Sequence, residues 1–283
     1  MLRIVRLRGE MLSQRRGSPV IFDDKHSFVI RIASAEVGLD MQSLGVLMNE
    51  YVFAYPGAPL HDLRFATDSG KLVQRGYLHK VFDIPFTITA AMSMTPAGLI
   101  RIHPVAIKIG PIPGKGLLAT LGIQLSDLLD LKKAKGVRVS GNDLLLDPVQ
   151  ILPPPVIEGR VTAVRVAQNE VIQIFDDSTA RHETTQPLTP PDPAAPNYMY
   201  FRGGTLRFGK LSMVRADMQI IDLDPRGPFE FSLDQYNAQL VAGYSKNTPE
   251  HGLEVFMPDV DKVGRGSTGR GPARPGRRGR IGS

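Results

Sequence analysis

Phe82, Ile84, Phe86, Ile88, Ala90, Met92 and Met94 take every second position of one run, with Asp83, Pro85, Thr87, Thr89, Ala91 and Ser93 between them. Alternate side chains of a strand point to opposite faces, so this spacing predicts a single half-buried strand. At roughly 3.4 Å per residue the strand offers an apolar stripe about 40 Å long. Most strands are about half that length. Something apolar has to cover the stripe, and the cover bears on function: packed protein alone, or protein together with a ligand.

The flanking pattern predicts further elements. Residues 28–32 read as a strand, and Asp40 is placed to cap a helix whose apolar positions Leu44, Leu47, Met48, Tyr51, Val52 and Tyr55 keep helical spacing. Segments 60–67 and 71–80 flank Asp68-Ser69-Gly70, a hairpin signal. After the turn at Pro96-Ala97-Gly98, Leu99, Arg101, His103, Val105, Ile107 and Ile109 are expected on one face of a strand, with Ile100, Ile102, Ala106 and Lys108 on the other. Leu117, Leu118, Leu121, Leu125, Leu128 and Leu129 predict a second helix, stopped at Gly136. Strands are then expected at 137–140, 143–147, 156–166 and 170–175, the last two joined across Gln168-Asn169.

The domain reading is a basic N-terminal segment at 1–27, a curved sheet-and-helix unit at 28–175, a Pro-rich linker or insertion at 176–197, additional strands at 198–261, and a disordered basic tail at 262–283. Strands are expected at 198–201, 205–208, 211–213 and 218–221. Net charge is +6, but the tail alone contributes +7 and residues 1–17 add +4, leaving 18–261 at −5. The high pI therefore belongs to the ends. Arg265, Arg270, Arg274, Arg277, Arg278 and Arg280 suit contact with a polyanion. The tail has no aromatic residue for stacking on bases, which favours anionic membrane over nucleic acid as its peripheral partner.

Candidate chemistry is sparse. The chain has no cysteine, so disulfides, thiolate catalysis and cysteine metal sites are excluded. His26, His61, His79, His103, His182 and His251 do not fall at a metal spacing such as i, i+4 on a helix, and His103 reads as an ordinary structural or surface residue. Asp217, Asp222 and Asp224 read as a solvated turn near Pro225. Gly110 to Gly116 departs from a phosphate loop: it is one residue short, Gly116 replaces the hydroxyl residue, and Pro111 and Pro113 remove amide donors. No Gly-x-Ser-x-Gly elbow occurs, no run of eighteen apolar residues is present, and residues 1–17 lack the apolar core of an export signal. The expectation is a protein that is not an enzyme and uses no cofactor or metal.

The helix MQSLGVLMNEYVFA, two short strands, a long strand, another strand, a proline-glycine break, the helix GLLATLGIQLSDLL and a closing meander resemble the tubular lipid-binding (TULIP-like) superfamily. The resemblance covers about residues 28–175 and rests on the order of elements, with YMYFRGGTLRFGKLSMVRADMQIIDLDP as added strands. It implies an α+β fold in which a long, strongly curved antiparallel sheet wraps around two helices and is extended by C-terminal strands. It also implies a lipid or other long hydrophobic ligand in an apolar groove, and a place in the bacterial cell envelope. The expected wall is Phe82, Ile84, Phe86, Ile88, Met92 and Met94, facing Leu47, Met48, Tyr51, Leu117, Leu121 and Leu125. Two other readings stand beside it: an envelope interaction protein with a filled core, and a nucleic-acid-associated protein acting through its Arg/Gly tail.

Overall fold

A computed structural model describes residues 2–79, 82–110, 112–113, 130–176, 188–250 and 252–263. The chain begins with β1 (Leu2–Ser13), β2 (Val20–Ile21) and β3 (Phe28–Asp40), then helix α1 (Met41–Leu47) and a π-helical turn, Met48–Val52. A meander follows: β4 (Leu60–Asp68), β5 (Lys71–His79), β6 (Asp83–Met94), β7 (Ile100–Ile109) and the short β8 (Ile112–Pro113). Next come β9 (Val137–Ser140), β10 (Asp143–Leu146), β11 (Val156–Glu158), β12 (Val161–Ala167) and β13 (Glu170–Asp176). The last third holds β14 (Tyr198–Arg202), β15 (Thr205–Phe208), β16 (Leu211–Val214), β17 (Asp217–Asp222), β18 (Phe229–Phe231), α2 (Tyr236–Ala242), β19 (Tyr244–Asn247), β20 (Leu253–Met257) and α3 (Val260–Val263).

These elements correct the expected architecture. The described residues are mostly strand and form three sheets that do not close, so no sheet wraps around two helices. Helix α1 has seven residues, about 10 Å of axis, and cannot line a stripe about 40 Å long. Residues 117–129, where the second helix is expected, lie outside the described residues.

The largest sheet has ten strands. Its main order is β12-β13-β3-β1-β14-β17-β20-β19, with β11 beside β3 and β18 beside β1. It is mixed, because β1–β14 and β17–β20 run parallel while β1–β3 and β3–β13 run antiparallel. The basic segment at the start of the chain thus supplies an interior strand: Ile4, Leu7 and Met11 are buried while Arg6 is exposed. A second sheet of seven strands, β4-β5-β6-β7-β10-β9 with β8 beside β7, is antiparallel throughout. β16, β15 and β2 make a third, small sheet.

Two main apolar cores result. The first gathers Ile4, Phe28, Phe208, Phe229, Met218 and Val255 with other residues of the large and small sheets. The second joins α1 to the seven-stranded sheet through Leu44, Leu47, Met48, Leu63, Phe86 and Leu144. β3 runs through both, with Phe28, Ile32 and Val37 in the first and Leu39 in the second. β14 is buried on both faces: Met199 and Phe201 enter the first core, and Tyr198 and Tyr200 pack with Ala195 and Ile221.

Local signals explain the boundaries. Asp40 caps α1 as expected, its Oδ1 accepting the Ser43 N–H at 2.8 Å. The β4–β5 hairpin turns on Ser69 and Gly70, both at positive φ, as a two-residue primed turn requires. In β7 the register shifts between the Thr89–Ala106 and Ala90–Pro104 pairs, leaving Val105 as an extra residue. This bulge corrects the expected single face for 99–109. Ile100 and Ile102 are buried before it, whereas beyond it Ile107 and Ile109 are the residues packed or paired against the stripe.

Candidate functional site

The alternating run from Asp83 to Met94 is one strand, β6, with Phe82 just ahead of it. Inner-face residues of β6 start half-buried at Ile84, become buried at Phe86 and Ala90, and are half-buried at Ile88, Met92 and Met94. Leu47 and Met48 meet Phe86 in one core, with Ile88, Met92 and Met94 packed at its margin. Met94 also touches the first core. Tyr51 and Phe82 do not join them. Tyr51 is 48% exposed on the π-helical turn and Phe82 is 69% exposed ahead of β6. Leu117, Leu121 and Leu125 lie outside the described residues, as do Arg265, Arg270, Arg274, Arg277, Arg278 and Arg280.

A cleft of about 180 Å³ opens beyond the Met94 end, lined by Leu99, Val137, Arg138, Leu145, Asp147 and Gln150. It is smaller than the roughly 300 Å³ at which ligand pockets begin.

On the opposite face of the same sheet, three strands bring together a group that the sequence spacing does not reveal. His61 Nε2 lies 3.1 Å and His79 Nδ1 2.7 Å from Asp83 Oδ1. The convergence depends on a bulge in β4. Near the turn Arg64 pairs with Arg75, but His61 pairs with Tyr77, so Asp62 and Leu63 together oppose Gly76. Because side chains alternate, the extra residue moves His61 onto the face that carries Tyr77 and His79. Asp83 then pairs directly with His79 across β5 and β6.

Several residues hold this bulge. Asp62 takes a left-handed φ of 51°, a conformation that Asp tolerates better than most residues. The side chain of Asn49 serves both backbone groups of Leu63: its Oδ1 accepts the Leu63 N–H at 2.9 Å and its Nδ2 donates to the Leu63 carbonyl at 2.8 Å. Gly76 leaves the needed space, since a Cβ there would lie 2.7 Å from Leu63 Cδ2 and 3.0 Å from the His61 carbonyl oxygen. The His61 ring stacks on Tyr77 at 5.5 Å, and its Nδ1 lies 3.1 Å from Asp62 Oδ2.

Hydrogen bonding to Asp83 and then to Asp62 outweighs desolvation and holds His61 above the usual imidazole range. The same contacts, His79 first and His61 second, lower Asp83. Elsewhere His103 Nδ1 approaches Asp143 Oδ1 at 2.6 Å, with Arg101 Nε at 2.7 Å from Asp143 Oδ2. Both residues of that pair are half-buried. Asp222 departs from the solvated-turn reading, because its side chain is buried and bonded to Asn197.

Comparison with known proteins finds no matching family model, no matching curated protein and no matching solved structure.

Proposed function

We propose that the protein is a non-enzymatic binding protein that takes a lipid or other long hydrophobic ligand along the inner face of β6. The observation that supports this is the uneven cover of one strand face. Phe86 and Ala90 are 6% and 2% exposed, whereas Ile84, Ile88, Met92 and Met94 on the same face are only half-buried. An acyl chain laid over those four would gain about 0.8 kcal/mol per methylene removed from water. Methionine side chains suit such a surface because they adapt to chains of different shape. The basic tail would supply peripheral attraction to anionic head groups, consistent with a role in envelope lipid handling.

The packing of Leu47 and Met48 against Phe86 favours a second reading, an interaction protein whose core is filled by its own side chains. Native mass spectrometry of the full chain purified from a bacterial host separates the two. A retained lipid-sized mass, together with displacement of a fluorescent fatty acid that weakens in Ile88→Gln and Met92→Gln, supports lipid binding. A bare protein mass and no fatty-acid binding sink the proposal and leave the filled core.

A further inference from the structure

We propose that His61 Nε2, His79 Nδ1 and the Asp83 carboxylate form a site for a zinc-class divalent transition-metal ion that ties together the ends of β4, β5 and β6. Among the described residues these three side chains each bring one donor atom to within 4.8 Å of the others, and His61 Nε2 and His79 Nδ1 both approach Asp83 Oδ1, at 3.1 and 2.7 Å. Tetrahedral zinc with bonds of about 2.0–2.1 Å separates its donors by about 3.3 Å, so the closest pairs need to open by only about half an ångström to admit the ion. Two imidazoles with one carboxylate suit zinc and its transition-metal neighbours, whereas calcium and magnesium prefer sites made of oxygen alone.

The surroundings do what a metal site requires beyond its ligands. Asp62 Oδ2 faces His61 Nδ1, so this carboxylate can hold the Nδ1 proton and leave the Nε2 lone pair for a metal. Tyr77 fixes the plane of the same ring by stacking, with 14° between the two planes. The β4 bulge is the element that puts His61 and His79 on one face, and Asn49 and Gly76 keep it in place. The site lies on the polar face of the sheet, opposite the apolar stripe, and so stands whether or not a lipid binds there.

The test is zinc titration of the full-length protein by calorimetry after removal of metal with a chelator. One equivalent should bind, and binding should weaken at least tenfold in His61→Ala, His79→Ala and Asp83→Asn. His103→Ala, which removes the half-buried His103–Asp143 pair, should leave the affinity unchanged. Imidazole nitrogen NMR should show zinc on His61 Nε2 and His79 Nδ1, and zinc should raise the wild-type melting temperature but not that of Asp83→Asn. Unchanged affinity in the three site variants, an equal loss in His103→Ala, or no zinc uptake by the wild type would each overturn the proposal. Matching melting temperatures of wild type and Asp83→Asn in chelator would show that the variant folds.

Discussion

Arg3 on β1 and Glu170 on β13 form an ion pair at 2.8 Å although their strands are not paired with each other; β3 runs between them, and the pair crosses over Gly38. A side chain at that position would block the crossing, because a Cβ on Gly38 would lie 2.6 Å from Glu170 Oε2. Gly38→Ala should therefore push the carboxylate aside and cost about 1 kcal/mol, the upper range for a partly exposed pair. The same substitution in a Glu170→Gln background should cost less. Urea unfolding of the four proteins checks the coupling, and equal costs in both backgrounds would refute it.

Burial separates two phenylalanines that the alternating pattern treats alike, Phe86 inside β6 and Phe82 just ahead of it. Phe86 is 6% exposed within the second core, and Phe82 is 69% exposed. Phe86→Ala should cost about 3–5 kcal/mol, while Phe82→Ser should stay within about 0.5 kcal/mol of wild type. Denaturant midpoints distinguish these outcomes.

Single elements can be read from local signals, whereas the architecture, three open sheets in place of one wrapped around two helices, depends on distant pairing and cannot. The alternation at 82–94, the cap at Asp40 and the turn at Ser69-Gly70 each act within a few residues, and each appears where expected. Strand β1 escapes because arginines at 3, 6 and 8 interrupt its apolar positions, and because its partner β14 lies some 190 residues away, where Arg8 Nε donates to Tyr198 Oη. The expected wall is legible only in part. Phe86 packs with Leu47 and Met48, but no pattern predicts that Phe82 falls outside the core. His61 and His79 are eighteen positions apart, and hairpin counting without the bulge places them on opposite faces. The unusual Asp62 conformation and the glycine opposite it create the convergence, and only Gly76 leaves a mark in the sequence.

That dependence can be tested away from the histidines themselves. Asn49→Ala strips both bonding partners from the Leu63 backbone, which should cost about 1–3 kcal/mol for polar groups left unsatisfied. Gly76→Ala should cost a similar amount through overpacking against Leu63. Both should weaken zinc binding without removing a ligand, since both release the bulge that orients His61. If either variant unfolds at a lower urea midpoint yet binds zinc as wild type does, the bulge is not what assembles the group.

Asp222 makes stability depend on pH with a sign opposite to that of its neighbour Asp224. Burial first, and the charge of Asp259 further, raise the Asp222 carboxyl above its usual range, despite the Asp224 N–H at 2.8 Å and Asn197 Nδ2 at 3.1 Å. The folded protein thus holds this proton more tightly than the unfolded chain does. Its contribution is fully present below the unfolded value and is lost as pH rises through the raised folded one. Asp224 is lowered by Arg226 and Lys262, so its contribution is present above the ordinary carboxylate value and is lost only as pH falls through the depressed one. Replacing Asp222 with Asn removes the first contribution and leaves that of Asp224. The melting temperature of Asp222→Asn relative to wild type should therefore climb as pH rises from the ordinary aspartate value through the raised folded one. A difference that stays constant across that range would mean that Asp222 titrates alike in the folded and unfolded states.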